Sequence, residues 1–422
     1  MRVLFTVPPL AGHVNPTAAV GAELAARGHE VAWTGPAAAL ARLLPAHARV
    51  LPAGDAAGRG PGGGGGYADL HERWRDLRGV RALRFLWEEA LVPLARAMVP
   101  GVTEAVRTFR PDVLVADQQA LAGPVVARRL GVPWVTSAST SAEFARPFDG
   151  FPRIGEWVGD QIAGLLAETG PGAGRAGVGG ADAGWDPRFS DRLVLVFSTP
   201  ELIGTGAPFP AHYAFVGPAF GARPAAPDFP WHRLDPDRRR VLVSLGTLNG
   251  AAGERFYAAV LGAADRLAAS VQLVLAAPAA LAGRFPEPGA GRAADPLPLR
   301  DGAAPRDTVL WRESVPQLEL LPHLDAVVCH AGHNTVCESL AHGLPLVVAP
   351  IRDDQPIVAR QVTDAGAGVR VRFGRVRAEE VRDALTAVLD EPGPRRAARR
   401  IQASFAAAGG AAAAADRLEK TL

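Results

Sequence analysis

Residues Arg2–Thr34 read RVLFTVPPLAGHVNPTAAVGAELAARGHEVAWT. The aliphatic and β-branched run Arg2–Val7 has the length and composition of a buried strand. Asn15–Arg27 follows as a helix closed by Gly28, which is free to take the left-handed conformation that ends helices. Glu30–Thr34 is a second strand. The same alternation returns downstream, where strands Pro111–Ala116 and Pro133–Ser137 flank a helix over Leu121–Leu130 that is closed by Gly131. Strand, helix, strand, helix in this order implies a parallel sheet with helices on both faces.

At Gly221–Asp237 the chain turns Pro-rich (GARPAAPDFPWHRLDPD), the composition of an interdomain linker. The alternation then restarts. Val241–Leu245, Val271–Ala276, Ala326–Cys329 and Leu346–Ala349 read as strands. Glu254–Leu267 and Thr335–His342 read as helices, the second stopped by Gly343. The alanine-rich tail after Arg395 reads as one more helix. The expected organisation is therefore an N-terminal Rossmann-like domain over residues 1–220 and a linker over 221–238. A second Rossmann-like domain covers 239–394, and a C-terminal helix over 395–422 packs back on the first. Two such α/β halves suggest a cleft between them, where ligands commonly sit. Gly60–Gly66 (GPGGGGG) is not a phosphate loop, because no strand runs into it; it and Glu168–Gly184 read as flexible surface segments.

The 422 residues suit two or three domains at ~150 residues each, and 48% hydrophobic with 21% charged residues is a globular composition. Formal charge is +2, and the basic residues are scattered, unlike the clustered basic face of a nucleic-acid binder. Lys420 is the only lysine. That excludes an internal Schiff-base lysine, a Walker-A lysine and a kinase strand lysine. Cys329 and Cys337 are too few for a disulfide framework or a four-cysteine zinc site. The opening apolar run is too short for a signal peptide and is broken by Pro8-Pro9, and no ~18-residue uncharged apolar run exists. A reduced, cytoplasmic protein without a membrane span is the expectation.

Several segments carry a resemblance. VPQ at Val315–Gln317, HAGHNTVCE at His330–Glu338, HGLP at His342–Pro345 and PIRDDQP at Pro350–Pro356 resemble the donor-binding signature of inverting family-1 glycosyltransferases with the GT-B fold. GHVNP and GHEV near the N-terminus, VLVADQ mid-chain and SLGT after the linker resemble the same family in the expected order. The antibiotic- and polyketide-modifying enzymes of bacteria are the nearest-looking branch. The resemblance implies two Rossmann-like domains facing across a cleft. It brings Gly12, Thr247, Val315, Gln317, His330, Gly332, Asn334, Thr335, Glu338, Asp354 and Gln355 into the donor-binding set.

Physical reasons make several of these plausible on their own. His330 ends a buried strand just before a helix that opens near Asn334-Thr335, and a helix N-terminus offers unpaired N–H groups to a diphosphate. Gly332 lets the backbone approach closely, and the Thr335 hydroxyl can donate to a phosphate. Glu338 lies one turn beyond Thr335 on the same face, and in the family this position accepts hydrogen bonds from the ribose hydroxyls. Asp354 and Gln355 follow a strand at its carboxyl edge, where they suit sugar hydroxyls. Two positions depart from the family: Ser314 stands where an aromatic usually stacks on the base, with Trp311 three residues earlier, and His333 replaces a common aromatic.

Sugar transfer to a hydroxyl needs a base, and histidine serves near neutral pH. His13 is the candidate, expected in the loop after the first strand, and Asp117 matches the family's partner aspartate. No metal or other cofactor is expected. Asp235-Pro236-Asp237 has the letters of a metal-binding DxD but lies in the linker, and the His and Cys spacing around 329–337 is not that of a familiar zinc site. The first strand is not followed by the GxGxxG of a nicotinamide dehydrogenase. A sugar-nucleotide epimerase and a non-catalytic helper protein are the alternatives. The expected activity is inverting, metal-independent transfer of a hexose from a nucleotide sugar, UDP ahead of TDP, to an apolar small molecule such as a polyketide or aromatic natural product. Phe85, Trp87, Phe144, Phe148, Phe151 and Trp157 are candidate acceptor-pocket aromatics, and the protein is expected as a monomer or homodimer.

Overall fold

The computed structural model describes residues 1–54, 73–74, 77–144, 150–169, 185–204, 209–221, 223, 228–246, 253–278, 281 and 308–421. Gly60–Gly66, and all of Glu168–Gly184 beyond residue 169, lie outside them. The chain divides into two compact units, one of Met1–Pro200, Thr205–Pro224 and Phe405–Leu422, the other of Glu201–Gly204 and Ala225–Ser404.

The first unit is built on β1 Arg2–Thr6, α1 Ala11–Ala26, β2 Glu30–Gly35, β3 Val50–Pro52, α2 Val92–Phe109, β4 Val113–Asp117, α3 Ala122–Leu130, β5 Trp134–Ala138, α4 Pro152–Thr169, β6 Val194–Val196 and β7 Tyr213–Phe215. Its seven strands are parallel, in the order β3-β2-β1-β4-β5-β6-β7. Strand side chains alternate between faces. Leu4, Leu114 and Ala116 pack with Met98, Val102 and Phe109 on one side, while Val3, Phe5, Val113 and Val115 pack with Val20, Leu24 and Trp33 on the other. Burial on both faces is why these strands read as continuous apolar runs rather than alternating ones. Gly21 is required by this packing, since a Cβ there would stand 2.4 Å from the Trp33 ring.

The second unit repeats the plan with β8 Arg239–Ser244, α5 Glu254–Leu267, β9 Val271–Ala276, β10 Val309–Arg312, β11 Ala326–Cys329, α6 His333–Ala341, β12 Leu346–Val348, α7 Gln355–Asp364, β13 Gly368–Arg370 and α8 Ala378–Asp390. Its six parallel strands run β10-β9-β8-β11-β12-β13. In each sheet the order reverses direction between two neighbours, β1 and β4 in the first, β8 and β11 in the second. Ligands of open α/β sheets bind beyond the carboxyl ends of the strands at such a reversal. His13 and Asp117 follow or end strands at the first reversal, and His330 follows β11 at the second.

The chain ends in two helices, α9 Pro392–Ala408 and α10 Gly410–Thr421, rather than the single expected one. Gly409 and Gly410 both take positive φ, at 88° and 59°, and break the helix. α10 lies on α1. Ala414, Ala415 and Leu418 are buried there, and Arg27 bonds Asp416 at 2.6 Å and Glu419 at 3.0 Å.

Two further expectations change. α1 begins at Ala11, one turn before Asn15, so His13 lies in the first helical turn and not in a loop. Asn15-Pro16 resembles a helix start because proline suits the first position. The earlier turn is held instead by fully buried Val14 and by Thr17, whose hydroxyl donates to the Val14 carbonyl at 2.8 Å. The aromatic set is also dispersed. Phe85 and Trp87 are core residues, Trp157 packs against the core, Phe144 sits edge-on to Phe209 and Tyr213, and Phe151 is exposed. Phe148 lies outside the described residues. Finally, Asp235 is buried in a turn, where it accepts the Asp237 N–H at 2.9 Å and pairs with Arg238. Its carboxylate is bound within the local turn.

Candidate active-site residues

At the carboxyl ends of β1, β4 and β5 three side chains meet. His13 Nδ1 lies 2.9 Å from Asp117 Oδ1 and 2.7 Å from Ser139 Oγ. The Ser139 hydroxyl donates to Asp117 Oδ2 at 2.6 Å, and the Gln119 backbone N–H donates to Oδ1 at 2.9 Å. The Asp117 side chain is 0% exposed and that of His13 14%. An ionised carboxylate only accepts, so the imidazole proton belongs on Nδ1 and the lone pair of the neutral ring on Nε2. The structure thus brings together the His13 and Asp117 side chains that the sequence pairs. Sequence reasoning missed Ser139, although the polar run Ser139-Thr140-Ser141 directly after a buried strand marks a carboxyl edge rich in hydrogen-bonding groups. Gly12 lies in the same helical turn as His13, and a Cβ there would meet no atom within 4 Å.

In the second unit His330 leaves β11 and turns into a tight pocket of glycine. A Cβ on Gly332 would lie 2.6 Å from its Nε2, and one on Gly246 would lie 2.7 Å from its Cε1. Gly332 thus makes room for the His330 ring, a role its sequence position did not reveal. Burial pushes the His330 ring down to about 4, against the opposing pull of the Asp354 carboxylate and a hydrogen bond with the Ser244 backbone. The ring is neutral near pH 7 and keeps one ring N–H able to donate a hydrogen bond. Gly332→Ala or Gly246→Ala should cost about 1–3 kcal/mol through overpacking, read as a lower melting temperature. An unchanged melting temperature in both variants would contradict this packing.

Ala331 between them takes φ 66°, and Asp353 in the loop after β12 takes φ 57°. A non-glycine residue there is strained, and such strain gathers at functional loops. The third case, Arg110, merely caps α2. Helix α6 starts from Gly332 with no side-chain cap, leaving the His333, Asn334 and Thr335 end suited to an anion. His333 points inward, with Nε2 3.5 Å from Cys337 Sγ.

Glu338, 3% exposed on α6, accepts a 2.5 Å hydrogen bond from Gln317 Nε2. The VPQ segment and the helix motif, 21 residues apart, are therefore joined. Val315 is partly buried beside them, and Ser314 is exposed. The partly buried Trp311 indole donates to the Ala277 carbonyl at 3.2 Å and packs on Tyr257 against the core. Asp354 lies close enough to His330 to act on its charge. The Gln355 carbonyl folds back instead, accepting the N–H groups of Ile351 at 2.9 Å and Arg352 at 3.1 Å, which leaves its amide NH₂ for other partners. Thr247 lies outside the described residues. Among the described residues no helix is long and apolar enough to cross a membrane.

Two parallel sheets in this order, each gathering polar residues at its reversal, define a two-unit α/β protein of the GT-B type. The family described as "UDP-glucoronosyl and UDP-glucosyl transferase" matches residues 299–402. The chain is 30% identical to the 4'-demethylrebeccamycin synthase of Lentzea aerocolonigenes across 442 residues, covering 99% of each. It is 27% identical to the NDP-glycosyltransferase YjiC of Bacillus subtilis (strain 168), over 78% of each chain. The crystal structure of glycosyltransferase VinC in complex with DTDP shares the fold, with a TM-score of 0.72 and 22% identity over 100% of this chain and 99% of that one. The chain belongs to the UDP-glucoronosyl and UDP-glucosyl transferase family and is a glycosyltransferase.

Proposed function

We propose that the protein transfers a hexose from a nucleoside-diphosphate sugar, UDP-sugars ahead of TDP-sugars, to a hydroxyl of an apolar small molecule such as a polyketide or aromatic natural product. The transfer inverts the anomeric carbon and needs no metal ion. The observation that carries this reading is the imidazole of His13 held through Nδ1 by a fully buried Asp117, the pairing that suits a general base.

The chemistry follows from those atoms. His13 Nε2 takes the acceptor hydroxyl proton as the oxygen attacks the anomeric carbon, and the bond from that carbon to the diphosphate breaks. Asp117 stabilises the imidazolium that forms, as the carboxylate does in a serine-protease triad. The diphosphate leaves toward the N-terminus of α6, met by backbone N–H groups and by the hydroxyl of Thr335. Asn334 and His330 add hydrogen bonds there, and Glu338 with Gln317 holds the nucleoside. Asp354 and the Gln355 amide face the sugar. The synthase from Lentzea, similar over nearly the whole chain, supports a natural-product acceptor.

Purified protein treated with EDTA is expected to keep full activity, and an α-linked donor to give a β-linked product by NMR. Strict dependence on added magnesium or manganese would overturn the metal-free assignment. An α-linked product would overturn direct displacement. Donor incubated without acceptor should return unchanged, whereas an epimerase would convert its sugar.

A further inference from the structure

We infer that Ser139 is a positioning residue for the transfer reaction, closing a three-way ring of hydrogen bonds with His13 and Asp117 that fixes the proton-accepting edge of the imidazole. The inference rests on His13 as the base.

The sheet sets the place of Ser139. β4 pairs with β5 in the register Asp117↔Ser137, so the chain leaves β5 with Ser139 directly beside the end of β4. There the hydroxyl is nearly buried and makes two short contacts, 2.6 Å to Asp117 Oδ2 and 2.7 Å to His13 Nδ1. Serine has one proton to give. Asp117 can only accept it, so the O–H is spent on Oδ2 and the Oγ lone pair faces the Nδ1–H. That proton is then shared between Oδ1 and Oγ, and the ring is held from two directions rather than one. The imidazole cannot swing about a single bond, which keeps Nε2 aimed along one line. Orientation of this kind governs how often a bound acceptor stands in a reactive pose.

The hydroxyl also spreads the charge of Asp117. With Oδ2 and Oδ1 both hydrogen-bonded, less negative charge is felt at the imidazole than a bare carboxylate would impose. Removing the Ser139 hydroxyl should therefore make the imidazolium easier to form while loosening its aim. Among the described residues the other charged groups facing this cluster are Glu143, held above the usual carboxylate range mainly by burial and partly by Asp186 and Asp117, and Arg188 and Asp186, which pair with one another and, through Arg188, with Glu143. They form a separate network, reached through the Gln119 side chain at 3.4 Å, and Ser139→Ala leaves them in place.

The test compares wild type, Ser139→Ala, Ser139→Thr and His13→Ala with an ordinary alcohol acceptor over a range of pH. Ser139→Ala deletes a single oxygen, and an unchanged melting temperature confirms that it folds. It is expected to lower kcat about 10-fold with little change in donor KM, and to move the acid limb of the kcat/KM profile upward by roughly half a pH unit or more. Ser139→Thr keeps the hydroxyl and should hold the limb at its wild-type position. Wild-type kcat and limb in Ser139→Ala overturn the proposal, and so does a fall in kcat with the limb unmoved, which marks a structural serine. If His13→Ala retains near-full activity, the base assignment itself is wrong; if it is inactive while Ser139→Ala behaves as wild type, only the role of Ser139 falls.

Discussion

His13→Ala is expected to lower turnover by ~10²–10⁴, the range typical of removing a general base, while donor binding stays nearly constant. The expectation comes from what the imidazole touches. Its Nδ1 is engaged by Asp117 and Ser139, which orients the ring for proton transfer at Nε2. Glu338, Gln317 and His330 belong to the other compact unit of the chain, so the substitution leaves the residues assigned to the donor unaltered. Asp117→Asn should cost less than loss of the ring. An amide can still accept from Nδ1–H through its oxygen, yet it no longer offsets the charge of the imidazolium. The acceptor must be an ordinary alcohol, because a very acidic phenol needs little base assistance. Near-wild-type turnover of an alcohol by His13→Ala, measured by product formation at saturating donor, would remove His13 from the mechanism.

The strands were legible because both sheets are buried on two faces, whereas the strand order that makes the switch points was not. A parallel strand in that setting is an apolar run of fixed length, and a glycine often closes the helix that follows. Gly28, Gly131 and Gly343 all take positive φ, at 86°, 67° and 66°. Edge strands were harder. β3 and β13 are three residues each, too short to carry a period. The start of α1 was misplaced because Pro16 imitates a first helical position. The residues of the site divide in the same way. His13, Asp117, His330 and Glu338 lie inside local motifs, whereas Ser139 is brought in by strand pairing and Gly246 by contact with a ring 84 positions away. No sequence spacing encodes either. The aromatic set failed for a related reason: Phe85 and Trp87 are apolar enough for a pocket and equally apolar enough for the core, and only packing tells the two apart.

UDP-glucose is expected to outcompete TDP-glucose by ~10-fold or more, and Glu338→Ala to erase most of that difference. Glu338 is 3% exposed, and its Oε2 already accepts from Gln317 at 2.5 Å. A carboxylate offers about four acceptor positions, so a vicinal diol can be accommodated beside the amide. A UDP-sugar brings both the 2′- and the 3′-hydroxyl. A TDP-sugar brings only the 3′-hydroxyl, leaving a buried anion short of one donor. Such a deficit costs ~1–3 kcal/mol, and 1.4 kcal/mol is about tenfold. With alanine at 338 neither donor meets a carboxylate, so kcat/KM should fall for both and fall further for UDP-glucose. Gln317 then loses its partner, which makes a melting curve of the variant a necessary control. The measurement is direct competition of the two donors for one acceptor, with products separated by mass. A wild-type preference for TDP-glucose would show that Glu338 does not read the 2′-hydroxyl, and the donor would then be assigned as a TDP-sugar.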